Sequence, residues 1–166
     1  GRTMALTLAT TRKRYPTRLS LNLGWLVLHR IKLLEFNTVE MVELEGLSVV
    51  VDRVVYQSDM DTPEDRPHCF AYFITISNNS NIIVTIKGRK WVVNEADGNK
   101  TVVEGDGVVG MFPELEPGES FDYHSFHLFS GDWAVATGSY IGVDANDRTV
   151  ITRIPEFRMD VPPALD

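Results

Sequence analysis

Residues 105–118 read Gly105-Asp106-Gly107-Val108-Val109-Gly110-Met111-Phe112-Pro113-Glu114-Leu115-Glu116-Pro117-Gly118, and the fold turns on how this stretch is read. Gly105 to Gly110 spells G-x-G-x-x-G, which binds a dinucleotide pyrophosphate only when a strand feeds it and a helix N-terminus follows. Here Met111-Phe112-Pro113 follows, and then a Pro117-Gly118 turn. Proline lacks an amide hydrogen and clashes with the preceding helical turn, so no packed helix starts at the loop. A doubly wound nucleotide fold is excluded. Gly105, Gly107 and Gly110 then read as positions that permit positive φ and bulges where the chain crosses between sheets.

On both sides of this loop the sequence is written in short alternating apolar runs separated by turn residues. Val49, Val51 and Val55 begin a first strand, and Phe70, Tyr72, Ile74 and Ile76 alternate cleanly in a second before Asn78-Asn79-Ser80-Asn81. A long strand covers 82–94, Asp97-Gly98 signals a hairpin of the type I′ kind with both central residues at positive φ, and 100–104 returns. Strands over 121–129, 133–143 and 149–161 follow, with Pro155 marking an edge or bulge. This pattern predicts an all-β antiparallel sandwich of about seven strands. Before Leu47 the spacing changes. Leu19, Leu23, Leu26, Val27, Ile31 and Leu34 suit one helix face, and Asn37 with Glu40 forms a capping box for a second short helix over 38–45, with Gly46 as its C′ residue. Residues 1–46 therefore read as a basic helical extension and residues 47–166 as the β domain.

The 166 residues, 43% of them hydrophobic, are enough for one well-buried core. The formal charge of −7 divides into +3 over residues 1–46 and −10 over residues 47–166. A β domain of that sign repels phosphate backbones, so general nucleic-acid binding by it is not expected. Cys69 is the sole cysteine, which rules out an internal disulfide and a thiolate metal cage. The apolar stretch 19–28 is about half the ~20 residues a membrane span needs. A soluble, cytoplasmic protein is expected, although the acid-free, Arg-, Ser- and Thr-rich stretch before Glu35 also has the composition of an organellar targeting segment.

Three constellations invite a chemical reading. Asp122, His124, Ser125 and His127 share one strand, where neighbours alternate faces, so Ser125 cannot meet His124 as nucleophile and base, and His124 and His127 cannot pair on a metal. His68 and Cys69 diverge for the same reason. Glu104, Asp106, Glu114 and Glu116 crowd the glycine loop and repel a pyrophosphate unless a divalent cation bridges them. No catalytic residue, metal ligand or cofactor is assigned. Arg89 and Trp91 lie on one strand face, either as a core anchor with a snorkelling cation or as an exposed aromatic-arginine patch suited to a protein partner. Asn78-Asn79-Ser80 and Asn99-Lys100-Thr101 match the glycosylation sequon, read here as chance matches.

Phe70-Ala71-Tyr72, Arg89-Lys90-Trp91-Val92-Val93, Asp97-Gly98, Gly105 to Gly110, Pro117-Gly118-Glu119-Ser120-Phe121-Asp122-Tyr123, Gly138-Ser139-Tyr140 and Ile154-Pro155-Glu156-Phe157 follow one another in an order that resembles the ApaG domain, from about Leu47 to Val161. The resemblance implies an immunoglobulin- or fibronectin-III-like sandwich. It also implies either a small cytoplasmic bacterial protein or a module of eukaryotic F-box and polymerase-delta-interacting proteins, where the domain serves protein–protein interaction. Bacterial relatives are named for a gene neighbour that hydrolyses diadenosine tetraphosphate and carry a cobalt and magnesium efflux association. The reading is therefore a non-catalytic binding module for an unidentified protein partner, with Arg89 and Trp91 as partner-binding candidates. The alternative is a nucleotide polyphosphate held with a divalent cation at Gly105, Asp106, Gly107 and Gly110.

Overall fold

Period-two alternation and turn chemistry give the strands of this protein, whose computed structural model describes residues 40–165. The elements are β1 (Met41–Glu43), β2 (Leu47–Tyr56), β3 (His68–Asn78), β4 (Val84–Glu95), β5 (Lys100–Asp106), β6 (Glu114–Leu115), β7 (Ser120–Phe129), β8 (Trp133–Asp144) and β9 (Thr149–Asp160), with no helix among the described residues. One sheet runs β1-β9-β8-β4-β5, with β6 also paired to β4, and the second runs β2-β3-β7. All pairings are antiparallel except β1 with β9. The expected all-β sandwich is what forms.

Inward residues of both sheets make a single core. Phe70, Tyr72, Ile74 and Ile76 of β3 are buried with Trp91 and Val93 of β4, Tyr140 of β8 and Met159 of β9. Tyr72 reaches across to Trp91 with ring centroids 4.9 Å apart, and the Tyr123 and Tyr140 hydroxyls hydrogen-bond each other between the sheets. His127 belongs to this core: its ring stacks on Tyr72 at 4.5 Å and meets Trp91 edge-on at 4.8 Å. Burial pushes its pKa down to about 3. Pro155 falls where the β8–β9 register shifts between Ala136 and Gly138, a bulge in which its missing amide costs no ladder bond.

Asn78 ends β3 inside the protein and is fully buried. Its Nδ2 donates to the Ile82 and Leu115 carbonyls, each at 2.8 Å. Its Oδ1 accepts from the Ser80 amide at 3.1 Å and from Ser80 Oγ at 2.6 Å. Its own amide donates to Glu119 O and its carbonyl accepts from Gly118 N–H. A side chain so enclosed cannot carry a glycan, so that sequon is structural.

Three local expectations are corrected. The short helix over 38–45 is overturned in its described part, because Met41–Glu43 is a strand in register with Thr149, Val150 and Ile151. Pairing that covers the start of the β9 edge outweighs a weak local helix preference. Gly46 does adopt positive φ, at 92°, but as the third residue of a turn closed by Leu47 N–H donating to Leu44 O. Strand β1, ahead of Leu47, thus pairs into the β body. The Asp97-Gly98 hairpin forms, yet only Gly98 has positive φ. Glu95 N–H donates to Asn99 O, giving a three-residue loop closed by a glycine rather than the type I′ turn. The helix expected around 17–36 lies outside the described residues.

Two outcomes follow from this core. Asn78→Ala leaves the buried Leu115 carbonyl and the Ser80 amide unpaired, while Ser80 Oγ keeps the Ile82 carbonyl as a partner, and should lower unfolding free energy in urea by about 2 kcal/mol or more. His127 is neutral in the folded protein down to about pH 3, whereas an unfolded histidine takes its proton near 6.5. Its stabilising contribution is therefore complete above about pH 6.5 and is lost as pH falls toward 3, at up to about 1.4 kcal/mol per pH unit. Urea denaturation at pH 4.5 and 7.5 should show a steeper acid loss for wild type than for His127→Phe; equal slopes would refute the assignment.

Candidate functional site

The link from β5 to β6 is the glycine loop, and its shape is set from β4. A register shift between Ile86 and Gly88 leaves Lys87 as the extra residue of a bulge, and the Lys87 carbonyl accepts the Gly107 amide at 2.8 Å. Arg89 faces inward with Trp91 and swings its guanidinium over Gly105. A Cβ on Gly105 would come within 2.9 Å of Arg89 Nη1, so glycine there lets the guanidinium lie close over the backbone. The same Nη1 donates to the carbonyls of Asp106 and Gly107, both at 3.0 Å. Gly107, at φ 62°, would bring a Cβ into collision with the Met111 carbonyl oxygen.

Beyond Gly107 the chain makes a tight turn. Val108 and Met111 exchange two backbone hydrogen bonds at 2.8 and 2.9 Å, and the central residues Val109 and Gly110 have φ of 45° and 78°. This is the type I′ geometry anticipated at Asp97-Gly98. Val108 is fully buried and anchors the turn in the core, while Met111 and Phe112 are each 53% exposed and Val109 is partly exposed beside them. Lys87 Nζ stands 5.8 Å from the Phe112 ring centroid. The backbone then returns to β4 through Ile86 N–H to Pro113 O, and β6 pairs with Val84 and Thr85.

Glu104, Asp106, Glu114 and Glu116 are exposed on the chain flanking the loop, and Lys87 and Lys90 are exposed on β4 beside it. Arg89 is half-buried and makes no salt bridge with a carboxylate among the described residues, whereas Lys90 pairs with Glu104 at 3.3 Å. Its charge favours the ionised forms of Tyr72, Tyr123 and Tyr140, but burial dominates and pushes all three hydroxyls up, Tyr72 to about 12. The amides of Gly107, Val108 and Met111 are spent on protein carbonyls. The amides of Val109 and Gly110 have no partner among the described residues. No group of three or more potential metal ligands occurs among the described residues.

The structure thus sorts the residues singled out from sequence. Gly105 and Asp106 close β5, and the turn that follows holds Gly107, which is buried, and Gly110, which is exposed. Trp91 is overturned as a partner-contact residue: it is 1% exposed and packs against Tyr72, His127 and Phe157. Arg89 shares its inward face and is committed to the loop carbonyls, so a charge reversal there would dismantle the loop rather than probe an exposed contact. His124 stacks on Phe73 at 5.4 Å on the outer face of β7 while His127 is buried on the inner face, so the two do not meet. His68 hydrogen-bonds Tyr56 at 3.1 Å, and burial pushes the Cys69 thiol up. The apolar tip Val109, Met111 and Phe112 escapes sequence reasoning; its one signal is apolar residues inside a Gly- and Pro-rich loop.

Comparison with known proteins agrees with this geometry. The family model described as the ApaG domain matches residues 58–144. The chain is 38% identical over 116 residues to Protein ApaG of Shewanella pealeana, covering 69% of this chain and 92% of that protein. It is 34% identical over 116 residues to Protein ApaG of Bdellovibrio bacteriovorus, covering 70% and 91%. The crystal structure of the putative ApaA protein from Bordetella pertussis superposes with a TM-score of 0.65 at 28% identity, over 74% of this chain and 99% of that one. By sequence and by fold, the chain belongs to the ApaG domain family.

Proposed function

We propose that this ApaG domain is a non-catalytic module that recognises a protein partner through the tip Val109–Phe112. The observation that supports the reading best is Val109, a β-branched residue at φ 45°, a conformation that costs about 1–3 kcal/mol and recurs at ligand clamps. The strain presents Val109 next to Met111 and Phe112, both half exposed, on a turn pinned by Arg89 and by buried Val108. Apolar side chains of this kind, with exposed Glu104, Asp106, Glu114 and Glu116 on the flanking chain, fit a partner with an apolar pocket edged by basic residues. Asparagine tolerates the left-handed region better than valine. Val109→Asn should therefore raise stability by about 1 kcal/mol while weakening partner capture, and Met111→Asp should abolish capture with the fold intact. Quantitative affinity capture with wild type, both variants and a urea titration of each checks this. An identical partner set retained at equal strength by all three would end the assignment of the tip.

A second reading, a nucleotide polyphosphate carried with a divalent cation, is favoured by one specific observation. Half-buried Arg89 has no carboxylate partner among the described residues, and the Val109 and Gly110 amides, in the turn that follows the Gly107 carbonyl it holds, are unspent. Diadenosine tetraphosphate titrated with and without Mg²⁺ and Co²⁺ should, on this reading, move the amide signals of Gly105 to Gly110 saturably and only with the cation. Unmoved signals at millimolar ligand would remove it and leave protein recognition alone.

A further inference from the structure

We propose that the open edge of β5 pairs with the β5 edge of a second copy of this chain, antiparallel and centred on Val102, to form a two-fold dimer with one continuous sheet. Among the described residues β5 pairs only with β4. Glu95 N–H donates to Asn99 O, and Gly107 N–H donates to Lys87 O. In an antiparallel ladder this parity turns the backbone groups of Thr101, Val103 and Gly105 toward β4 and those of Lys100, Val102 and Glu104 toward the open side. An edge of this kind is a template for another strand.

The sequence on that edge is complementary to itself. With Val102 opposite Val102 of the second copy, Lys100 faces Glu104 at one end and Glu104 faces Lys100 at the other. Each of the three facing pairs exchanges two backbone hydrogen bonds. Val102, 50% exposed in the single chain, gains an apolar neighbour at the axis. Charged residues on an edge usually prevent pairing; here their order makes each charge meet its opposite. A register centred on Val103 would instead set Val102 against Glu104 and extend the ladder to Asp106, whose carbonyl already accepts from Arg89. The contact is isologous and closes as a dimer. It is also short, so association should be weak and visible only at high concentration. The loop tip stays outside the pairing, so the partner reading and the dimer stand or fall separately.

Sedimentation velocity of the full chain from 5 to 500 μM tests the pairing, with far-UV circular dichroism confirming that each variant folds. Wild type should show concentration-dependent dimerisation. Lys100→Glu sets a second carboxylate against Glu104, Glu104→Lys sets a second ammonium against Lys100, and Val102→Lys puts like charges on the axis; each alone should weaken dimerisation at least tenfold. An equimolar mixture of the Lys100→Glu and Glu104→Lys chains restores opposite charges at both ends and should dimerise again. Wild type that stays monomeric at 500 μM, a dimer indifferent to all three substitutions, or a mixture that fails to recover would each overturn the proposal. Slow hydrogen exchange at the Lys100, Val102 and Glu104 amides in a monomer would assign the edge to another strand and overturn it as well.

Discussion

The sandwich depends on one fully buried asparagine. Asn78 closes β3, caps the 79–82 turn, holds the Leu115 carbonyl of β6 and receives the Gly118 amide of the next turn. Because β6 is hydrogen-bonded to β4 and β3 belongs to the other sheet, this side chain joins the two layers by polar contacts. Burying an amide is tolerable only when every donor and acceptor is matched, and Asn78 meets that condition with the Ile82 and Leu115 carbonyls and the Ser80 amide and hydroxyl. The start of the glycine loop's return path is thus fixed before any side chain of the loop is considered.

The departing end of the loop is fixed by a second polar contact. Arg89 leaves the core face of β4, crosses over Gly105 and gathers the Asp106 and Gly107 carbonyls with one nitrogen. A half-buried guanidinium without a carboxylate beside it needs partial negative charge, and two carbonyl dipoles supply it. The glycines that look like a nucleotide fingerprint are explained by this traffic: one makes room for Arg89, another clears the Met111 carbonyl. What reaches solvent is a tip tied to the core through Arg89 and buried Val108.

Much of this is legible in the residues because the strands obey local rules. Phe70, Tyr72, Ile74 and Ile76 alternate and are all buried, and the hairpins at Asp97-Gly98 and at 144–147 fall where turn residues cluster. The prolines that argue against a nucleotide fold do so for the right reason, since a short strand, not a helix, follows the loop. The errors lie where long-range pairing decides. Met41–Glu43 becomes strand because β9 offers it an edge more than one hundred residues away in sequence, which no local window can contain. Arg89 and the Asp106 carbonyl are likewise brought together by the β4–β5 register, so the alternation of faces predicts that Arg89 and Trp91 share a side without telling which side is the core. The hairpin turn departs from type I′ because Asp97 spends both carboxylate oxygens on Asn99, favouring the longer loop.

Val109 shows why a site can escape sequence reasoning and still be physically conspicuous. In composition it is one more valine in a valine-rich strand protein. Only its φ reveals that the turn would be better served by asparagine or glycine. A residue that conflicts with its own backbone inside a turn closed by Val108 and Met111 is a place where local and global preferences disagree, and such disagreements are tolerated chiefly where function asks for the side chain. The buried neighbour Val108 and the Lys87 carbonyl keep the turn from relaxing. The same reasoning separates the tip from Trp91. The indole has the chemistry of an interface anchor but is enclosed by Tyr72, His127 and Phe157, and its role is to pack the β4 face against the opposite sheet.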